Sequence, residues 1–466
     1  GLQILLKAAL LLPIPAFMFW FNYTVDRAGV FHGDRYNREM AQLLIEGNVL
    51  NGYDQINEQG LLELLAQNIE EPYDTLVLGS SRALMMRGGA VGGGTVMNCG
   101  VSNADMYDLL GIWYMFDKAG MAPENLIIVP DPWLLCAEHR DPRSKPDLYN
   151  EFLSERLGMD NGFIPEDETA QQLQALTEPS YFQGNLDYWF NERTTEEKPP
   201  VVTGDVENQP VNIKLADGSV LYDKAFRQGV SDATVLQRRM LGDTNTFYIK
   251  FGYDEPDPQL TAVYEDFIEY LHGLGVKVSI LLPPYSPLVY TYAAENKAYL
   301  GGVFESENTY RRIAAEYGIP VYGSYNPYLS DIWDFGTTEF FDGLHPQPEV
   351  YGKIYPGVEQ AARDQSAPYQ WEPYGGKTIG WETAEAMVKS RYEIAPPHTT
   401  ERAADEQVHD KKAYIVERWG QDPNNPNTES DPVVLARYAV VMEDGTVYRY
   451  DTEGQMWVED LRFPPN

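Results

Sequence analysis

The sequence predicts an α/β protein built on a doubly wound parallel sheet of five strands. Short apolar runs, most of them ended by Gly or Pro, alternate along much of the chain with segments of helical periodicity. This alternation is typical of a parallel sheet whose strands are connected by helices. Hydrophobic residues make up 43% of the 466 residues, which supplies enough apolar surface for a sizeable core.

The five predicted strands are runs of mainly aliphatic residues, as expected where a strand is buried on both faces. In chain order they cover residues 75–78, 95–97, 126–129, 276–282 and 320–322. Helical patterns between them cover residues 105–118, 260–274 and 306–317. Because the sites of such sheets lie beyond the carboxyl ends of the strands, we expect the chemistry in the loops that follow them.

The amino end has the pattern of a membrane anchor. Residues 2–21 contain a single charge, that of Lys7, and 20 helical residues span about 30 Å, the thickness of a bilayer core. Lys7 near the start and Trp20 near the end suit the two interfaces. We predict a transmembrane anchor over residues 1–22 and a membrane-proximal helical segment over residues 23–70. A cleaved signal peptide is the alternative, but bulky side chains stand where a cleavage site needs small ones.

A long insertion interrupts the sheet domain, which we place at residues 71–370. Residues 140–255 separate the third and fourth strands, far more than a crossover helix needs. Within this insertion the dipeptide Asp217-Gly218 lies between strand-like flanks, which predicts a hairpin. We interpret the insertion as lying over one edge of the sheet.

A small α+β appendage is predicted after the sheet domain, over residues 371–466. It contains a helical segment, three strand-like runs and the turn signal Asp444-Gly445. The helical segment covers residues 381–392 and the strand-like runs cover residues 413–419, 433–442 and 446–450.

The charge and cysteine content exclude several classes of function. Lys and Arg number 35 against 70 Asp and Glu, a net charge of −35, which excludes nucleic acid as the main partner and argues against an anionic lipid surface. Two cysteines, Cys99 and Cys136, are too few for a disulfide scaffold, and we favour two separate buried thiols over a bridge. No His, Asp and Glu cluster has metal-ligand spacing, so no metal or cofactor is predicted.

A serine, a histidine and an aspartate are the candidates for chemistry. Ser81 follows the first predicted strand, and Asp342 precedes His345 by three residues far downstream. A serine hydroxyl becomes a nucleophile when a base takes its proton and a carboxylate orients that base. Ser80 is the alternative nucleophile, and His139 is the competing histidine.

Three short motifs resemble those of the SGNH/GDSL hydrolase superfamily. They are Gly79-Ser80-Ser81-Arg82, Asn98-Cys99-Gly100-Val101-Ser102 and Asp342-Gly343-Leu344-His345-Pro346. The resemblance spans roughly residues 70–360 and is most specific in the last motif. It implies an SGNH-like fold with Ser81 as nucleophile, His345 as base and Asp342 as the group that orients it. It also implies an oxyanion hole formed by the backbone N–H groups of Ser81 and Gly100.

The superfamily has a further motif, directly after the third strand, which is altered in this chain. The family usually has Gly-X-Asn after the third strand, and here the corresponding residues include Asp131, whose carboxylate cannot donate to an oxyanion. Asn103 is a candidate for the missing donor, with helix capping as its structural alternative. Arg82, Asp131 and Tyr285 are candidate substrate contacts. Their structural alternatives are a strand-end cap, a turn and plain packing.

The anchor together with these motifs resembles a membrane-anchored branch of the superfamily. That branch includes the D-alanyl transfer protein of lipoteichoic-acid synthesis and, more distantly, alginate O-acetyltransferases. The resemblance implies an extracytoplasmic, single-pass serine acyltransferase or esterase that uses an acyl donor to modify a cell-envelope glycan. Its implied partner is a membrane-bound O-acyltransferase. The alternatives are a non-catalytic assembly or glycan-binding protein and a tethered hydrolase of lipids or small esters.

Overall fold

The computed structural model describes most of the chain. The described residues are 13–26, 30–31, 35–51, 53, 56–139, 145–159, 168–192, 201–228, 253–295, 300–332, 338–367, 380–392, 394, 396–422, 432–443 and 445–459. They belong to two compact units. The first comprises the chain up to Pro72, Leu110–Ala122 and Lys145–Lys224, and the second comprises Tyr73–Leu109, Pro123–Ser144 and the chain from Ala225 onward. These units cut across the four consecutive segments that the sequence suggests.

The helices and strands have the following bounds. The helices are α1 (Pro13–Val25), α2 (Arg35–Ile45), α3 (Glu58–Asn68), α4 (Gly88–Val91), α5 (Met106–Lys118), α6 (Pro146–Glu155), α7 (Glu168–Thr177), α8 (Pro179–Asp187), α9 (Lys224–Arg227), α10 (Pro258–Leu274), α11 (Pro287–Glu295), α12 (Gly302–Glu316), α13 (Pro348–Ile354), α14 (Val358–Asp364) and α15 (Trp381–Arg391). The strands are β1 (Leu50–Asn51), β2 (Thr75–Gly79), β3 (Val96–Asn98), β4 (Asn125–Val129), β5 (Ile213–Lys214), β6 (Val220–Leu221), β7 (Lys277–Leu282), β8 (Val321–Gly323), β9 (Thr399–Arg402), β10 (Glu406–Val408), β11 (Lys411–Gly420), β12 (Val433–Val441), β13 (Val447–Asp451) and β14 (Met456–Glu459).

The five-stranded parallel sheet of the second unit confirms the predicted α/β class. Its strand order is β3-β2-β4-β7-β8, with every neighbouring pair parallel. Leu76, Val77 and Leu78 of β2 are fully buried, and so are Ile127 and Ile128 of β4. Burial on both faces explains why these strands read as uninterrupted apolar runs rather than as alternating patterns.

Helix α10 shows how local sequence sets the bounds of the elements around this sheet. The Asp257 side chain accepts hydrogen bonds from the backbone N–H groups of Gln259 and Leu260, and Pro258 occupies the first turn. The helix ends at Gly275, whose φ of 75° lies in the left-handed region that favours glycine. The next strand, β7, begins two residues later.

The first unit holds the amino-terminal helices together with part of the insertion. Helix α2 packs against α3, and α1 packs against α7 and α8. The predicted hairpin is confirmed as β5 and β6, which pair antiparallel, and β5 also pairs with β1. Within the described part of the chain, no helix is long and apolar enough to cross a membrane. The predicted anchor lies partly outside that description, because residues 1–12 precede α1.

Among its described residues, the carboxyl-terminal appendage forms an antiparallel sheet with one helix, in agreement with the α+β prediction. Its strand order is β10-β11-β12-β13-β14, and β9 also pairs with β11. Five residues form its small core, namely Val408, Ala413, Ile415, Ala439 and Val441. The predicted turn at Asp444 lies outside the described residues.

Candidate active site

Ser81 lies in the turn that follows β2, at the carboxyl end of the parallel sheet. The strand ends at Gly79, where a Cβ atom would lie 2.5 Å from the carbonyl oxygen of Val129 on β4. Only glycine allows so close an approach. Ser80 is buried and its hydroxyl accepts a hydrogen bond of 3.1 Å from the Arg82 N–H, whereas Ser81 is partly exposed. The turn therefore presents Ser81, not Ser80, to the surface.

His345 lies in a loop before α13 that is closed by its own hydrogen bonds. The Phe341 N–H donates to the carbonyl oxygen of His345 at 2.9 Å. Asp342 Oδ1 accepts from the backbone N–H groups of Leu344 and His345, each at 2.8 Å. Aspartate side chains commonly fold a turn in this way. Asp342 thus shapes the backbone that carries the histidine.

Ser81, His345 and Asp342 form one hydrogen-bonded row. Ser81 Oγ lies 2.9 Å from His345 Nε2, and His345 Nδ1 lies 2.8 Å from Asp342 Oδ2. The side chains of His345 and Asp342 are 15% and 23% exposed, so the row is sheltered but not sealed. Both separations are normal hydrogen-bond lengths. This geometry suits a histidine that takes a proton from the serine while the carboxylate holds its ring.

The surroundings of Asp342 keep its carboxylate ionised. Burial acts to raise the pKa of Asp342, but the adjacent His345 ring and the N–H groups of His345 and Leu344 outweigh it. The pKa of Asp342 therefore lies below its ordinary value. An ionised Asp342 accepts the Nδ1–H of His345, which leaves Nε2 as the basic atom facing Ser81.

Arg82, Asp131 and Tyr285, the candidate substrate contacts, are all buried. Arg82 Nη1 donates to Asp131 Oδ1 at 2.8 Å. Its Nη2 donates to the carbonyl oxygens of Pro283 and Pro284. The guanidinium carbon lies 4.3 Å from the centroid of the Tyr285 ring. These groups pair with one another inside the protein, although Arg82 Nε and Asp131 Oδ2 are buried without a hydrogen-bond partner among the described residues.

The buried arginine links the chain segments that carry the site. Burial acts to lower the pKa of Arg82, but the Asp131 carboxylate outweighs it and the pKa lies above its ordinary value. Charged Arg82 joins the segments that follow β2, β4 and β7. Its backbone carbonyl accepts a hydrogen bond from the hydroxyl of Tyr351 on α13. The residue next to Ser81 is therefore tied to the helix that follows His345.

The two predicted oxyanion donors differ in availability. Within the described residues, the backbone N–H of Ser81 donates to no other group. The Gly100 N–H is instead donated to Asn98 Oδ1 at 3.0 Å, in a buried position. In this arrangement the Gly100 N–H is not available to an oxyanion.

Asn103 and His139 lie together after β3 and β4. Asn103 is in the left-handed region with φ of 61°, and its carbonyl oxygen lies 3.3 Å from His139 Nε2. His139 is buried, with its ring against Trp133 at a centroid distance of 6.2 Å. His139 is therefore part of the core, and His345 is the histidine beside Ser81.

Asn98 and Tyr351 support the site and were not apparent from the sequence. Asn98 is fully buried, and its Nδ2 donates to the carbonyl oxygens of Ala83 and Met86 at 2.7 and 2.9 Å. It thereby fastens the end of β3 to the segment after Ser81. A polar residue directly after an apolar strand was the available signal, but many surface turns share it.

The remaining sequence predictions concern the two cysteines and possible metal ligands. Cys99 and Cys136 are both buried and are not joined by a disulfide, as predicted. Among the described residues, no group of three or more His, Cys, Asp or Glu side chains is arranged to hold a metal ion. Comparison of the chain with protein-family models, curated proteins and solved structures gave no match.

Proposed function

We propose that this chain is a serine acyltransferase or esterase that works through an acyl-serine intermediate. The observation that carries the proposal is the row Ser81–His345–Asp342, with 2.9 Å between Ser81 Oγ and His345 Nε2 and 2.8 Å between His345 Nδ1 and Asp342 Oδ2. A base within hydrogen-bond reach of a hydroxyl, itself oriented by a carboxylate, is the arrangement that activates a serine.

The reaction follows from the atoms in this row. His345 Nε2 takes the proton of Ser81 as Oγ attacks the carbonyl carbon of an acyl donor. The tetrahedral intermediate collapses, Nε2 returns the proton to the departing oxygen, and the acyl group remains on Oγ. An acceptor hydroxyl, or water, then gives its proton to Nε2 and attacks the acyl-serine. The second tetrahedral intermediate collapses, the bond between the acyl carbon and Ser81 Oγ breaks, and Nε2 returns the proton to Oγ. A hydroxyl acceptor yields transfer, and water yields hydrolysis.

The oxyanion of the tetrahedral intermediate needs hydrogen-bond donors beside Ser81. The Ser81 N–H is available, whereas the Gly100 N–H is held by Asn98. The Asn103 side chain remains our candidate for a second donor. This shortage favours one second candidate, a non-catalytic protein of the same fold that binds a glycan or assembles with a membrane-bound O-acyltransferase.

The motifs and the amino-terminal run support a more specific proposal. We assign the chain to the membrane-anchored branch of the SGNH/GDSL superfamily, with a single anchor in residues 1–22 and the remainder outside the cytoplasm. The acceptor we propose is a cell-envelope glycan. Because the net charge is −35, a neutral glycan meets less repulsion than a polyanionic one.

A fluorophosphonate serine probe tests catalysis directly. The full chain in detergent should be labelled, and Ser81→Ala and His345→Gln should remove the labelling. Ser80→Ala and His139→Gln are the matched controls, because each changes the same residue type at a buried position outside the hydrogen-bonded row. Both controls should retain labelling if they fold.

The outcomes separate the candidate functions. A folded wild-type chain that resists the probe refutes the catalytic proposal and favours the non-catalytic one. Labelling that survives Ser81→Ala moves the nucleophile elsewhere. Mass analysis of acyl groups on envelope polymers, in cells with and without the Ser81→Ala variant, then identifies the acyl group and its acceptor.

A further inference from the structure

Helix α1 exposes large apolar side chains and carries no charge along its whole length. Its sequence, PIPAFMFWFNYTV, lacks Asp, Glu, Lys and Arg. Ile14, Phe17 and Trp20 are 67%, 50% and 59% exposed. Contiguous exposure of this kind commonly marks an interaction surface.

A hairpin from the insertion packs beside α1 and exposes further apolar side chains. This helical hairpin, which is distinct from the β5–β6 hairpin, consists of α7, α8 and the π-helical turn Tyr188–Glu192 that follows α8. The Phe182 ring of α8 lies 5.5 Å from that of Phe21, and the Trp189 ring lies 5.8 Å from Phe21. Leu173 and Phe190 are 61% and 75% exposed. One apolar surface therefore continues from α1 to a segment more than 150 residues later in the chain.

A buried polar contact locks the hairpin to α1. Asn22 is fully buried, and its Nδ2 donates to the carbonyl oxygens of Ala175 and Leu176 at 3.0 and 3.1 Å. These carbonyls belong to the last turn of α7, where carbonyl oxygens have no N–H partner within the helix. Asn185 Nδ2 of α8 donates to Asn22 Oδ1 at 3.2 Å. The hairpin is thus attached to α1 by specific hydrogen bonds as well as by apolar contact.

We infer that this surface, which we call the interfacial patch (Phe17, Trp20, Leu173, Trp189 and Phe190), enters the boundary between headgroups and acyl chains of the bilayer. The inference rests on the membrane anchor in the proposed function. The sequence supplies the argument for the occupant, since α1 continues the run of residues 2–21, whose only charge is Lys7. Aromatic side chains are enriched at this depth of a membrane.

The composition of the patch also says which force holds it in the bilayer. Neither α1 nor residues 168–192 contain Lys or Arg. Attraction to anionic headgroups, which requires basic side chains, therefore contributes nothing. Burial of apolar area is the remaining driving force, so the patch should bind zwitterionic lipid at least as well as anionic lipid, which its acidic neighbours would repel. The insertion then acts as a second membrane contact beside the anchor.

A depth measurement on the full chain tests this inference. Leu173→Cys carries a fluorescent probe into the patch, and Leu274→Cys is the matched control, because Leu274 is a helical leucine of similar exposure (50%) in the other unit. The native thiols Cys99 and Cys136 are buried. In phosphatidylcholine vesicles, a lipid-borne nitroxide should quench the Leu173 probe at least about threefold more than the Leu274 probe, since interfacial helices lie about 5–10 Å deep.

The possible results are distinct. If the chain floats with the vesicles but the two probes are quenched equally, the inference is refuted and the anchor stands. If the chain does not float, the anchor of the proposed function fails and the inference fails with it. A Leu173 probe shielded from both the nitroxide and aqueous iodide refutes the inference in favour of a protein partner or a second copy. Phe190→Cys repeats the measurement if Leu173→Cys does not fold.

Lipid composition provides an independent check. Replacing a third of the phosphatidylcholine with phosphatidylglycerol should not increase the quenching of the Leu173 probe and should tend to lower it, because residues 168–192 contain four acidic and no basic side chains. A several-fold increase would refute the apolar mechanism, because it would require basic groups that these helices lack.

Discussion

Removing the cation of the buried Arg82–Asp131 pair should destabilise the parallel sheet strongly. The two side chains are 0% and 1% exposed and lie 2.8 Å apart. Arg82→Met would leave Asp131 without its cation and the Pro283 and Pro284 carbonyls without their donor. Breaking a buried pair in this way costs about 3–5 kcal/mol. That is a large part of the roughly 5–15 kcal/mol that stabilises a typical protein.

The loss should also acquire a characteristic dependence on pH. Burial raises the pKa of Asp131 and Arg82 opposes that shift, so the pKa rises further in Arg82→Met. Between the unfolded value of about 3.9 and the raised folded value, folding takes up a proton. The stability of the variant therefore falls as pH rises, by about 1.4 kcal/mol per pH unit.

Hydrogen exchange of peptides covering β2 and β4, at pH 5 and pH 8, measures both effects in the sheet itself. The double variant Arg82→Met/Asp131→Asn is the control, because it lacks the titrating carboxyl and its stability should therefore not fall with rising pH through this group. A loss below about 1 kcal/mol in the single variant, or equal pH dependence in both variants, would refute the reasoning.

Three further predictions concern the site and its supports. Asp342→Asn should slow fluorophosphonate labelling by about 10²–10⁴. Because the pKa of Asp342 is lowered, its contribution to stability is present above about pH 3.9 and is lost as pH falls through the folded value. The free energies of unfolding of the wild type and Asp342→Asn, measured by unfolding titrations, should therefore converge only in acid. Gly79→Ala should cost about 1–3 kcal/mol through overpacking, while Gly273→Ala, at a helical position with open space, should be neutral or stabilising; thermal unfolding compares them. Asn98→Ala leaves the Met86 carbonyl and the Gly100 N–H without the partner that Asn98 supplies, while the Ala83 carbonyl keeps the Met86 N–H. The variant should lose at least about 1–3 kcal/mol in the same assay. If Gly79→Ala and Asn98→Ala melted at the same temperature as the wild type, both structural predictions would be contradicted.

The strands of the parallel sheet could be predicted because burial on both faces leaves a strong pattern in the sequence. A run such as 126–129 has no polar residue to break it, and a glycine or proline marks its end. Strand β1 could not be predicted in the same way. It has two residues, which is too short for any periodicity, and its partner β5 lies in the insertion.

The serine, histidine and aspartate of the site could also be predicted, but the roles of their neighbours could not. A polar side chain after a strand looks the same in sequence whether it faces solvent or pairs inside the protein. The partner of Arg82 lies 49 residues away, and the pairing follows from β2 and β4 being neighbours in the sheet. Likewise, the sequence of residues 168–192 does not indicate that these residues pack against α1.

The contact between Ser81 and His345 joins residues 264 positions apart. At a synthesis rate of about 5–20 residues per second, roughly 13–53 s pass between the two residues leaving the ribosome. Strand β2 and its serine exist through this interval without the base that would activate the hydroxyl. The Ser81 hydroxyl of the nascent chain is thus not activated until the end of the sheet domain has been synthesised. Reactivity toward a serine probe would then date the completion of folding, rather than the first appearance of the nucleophile.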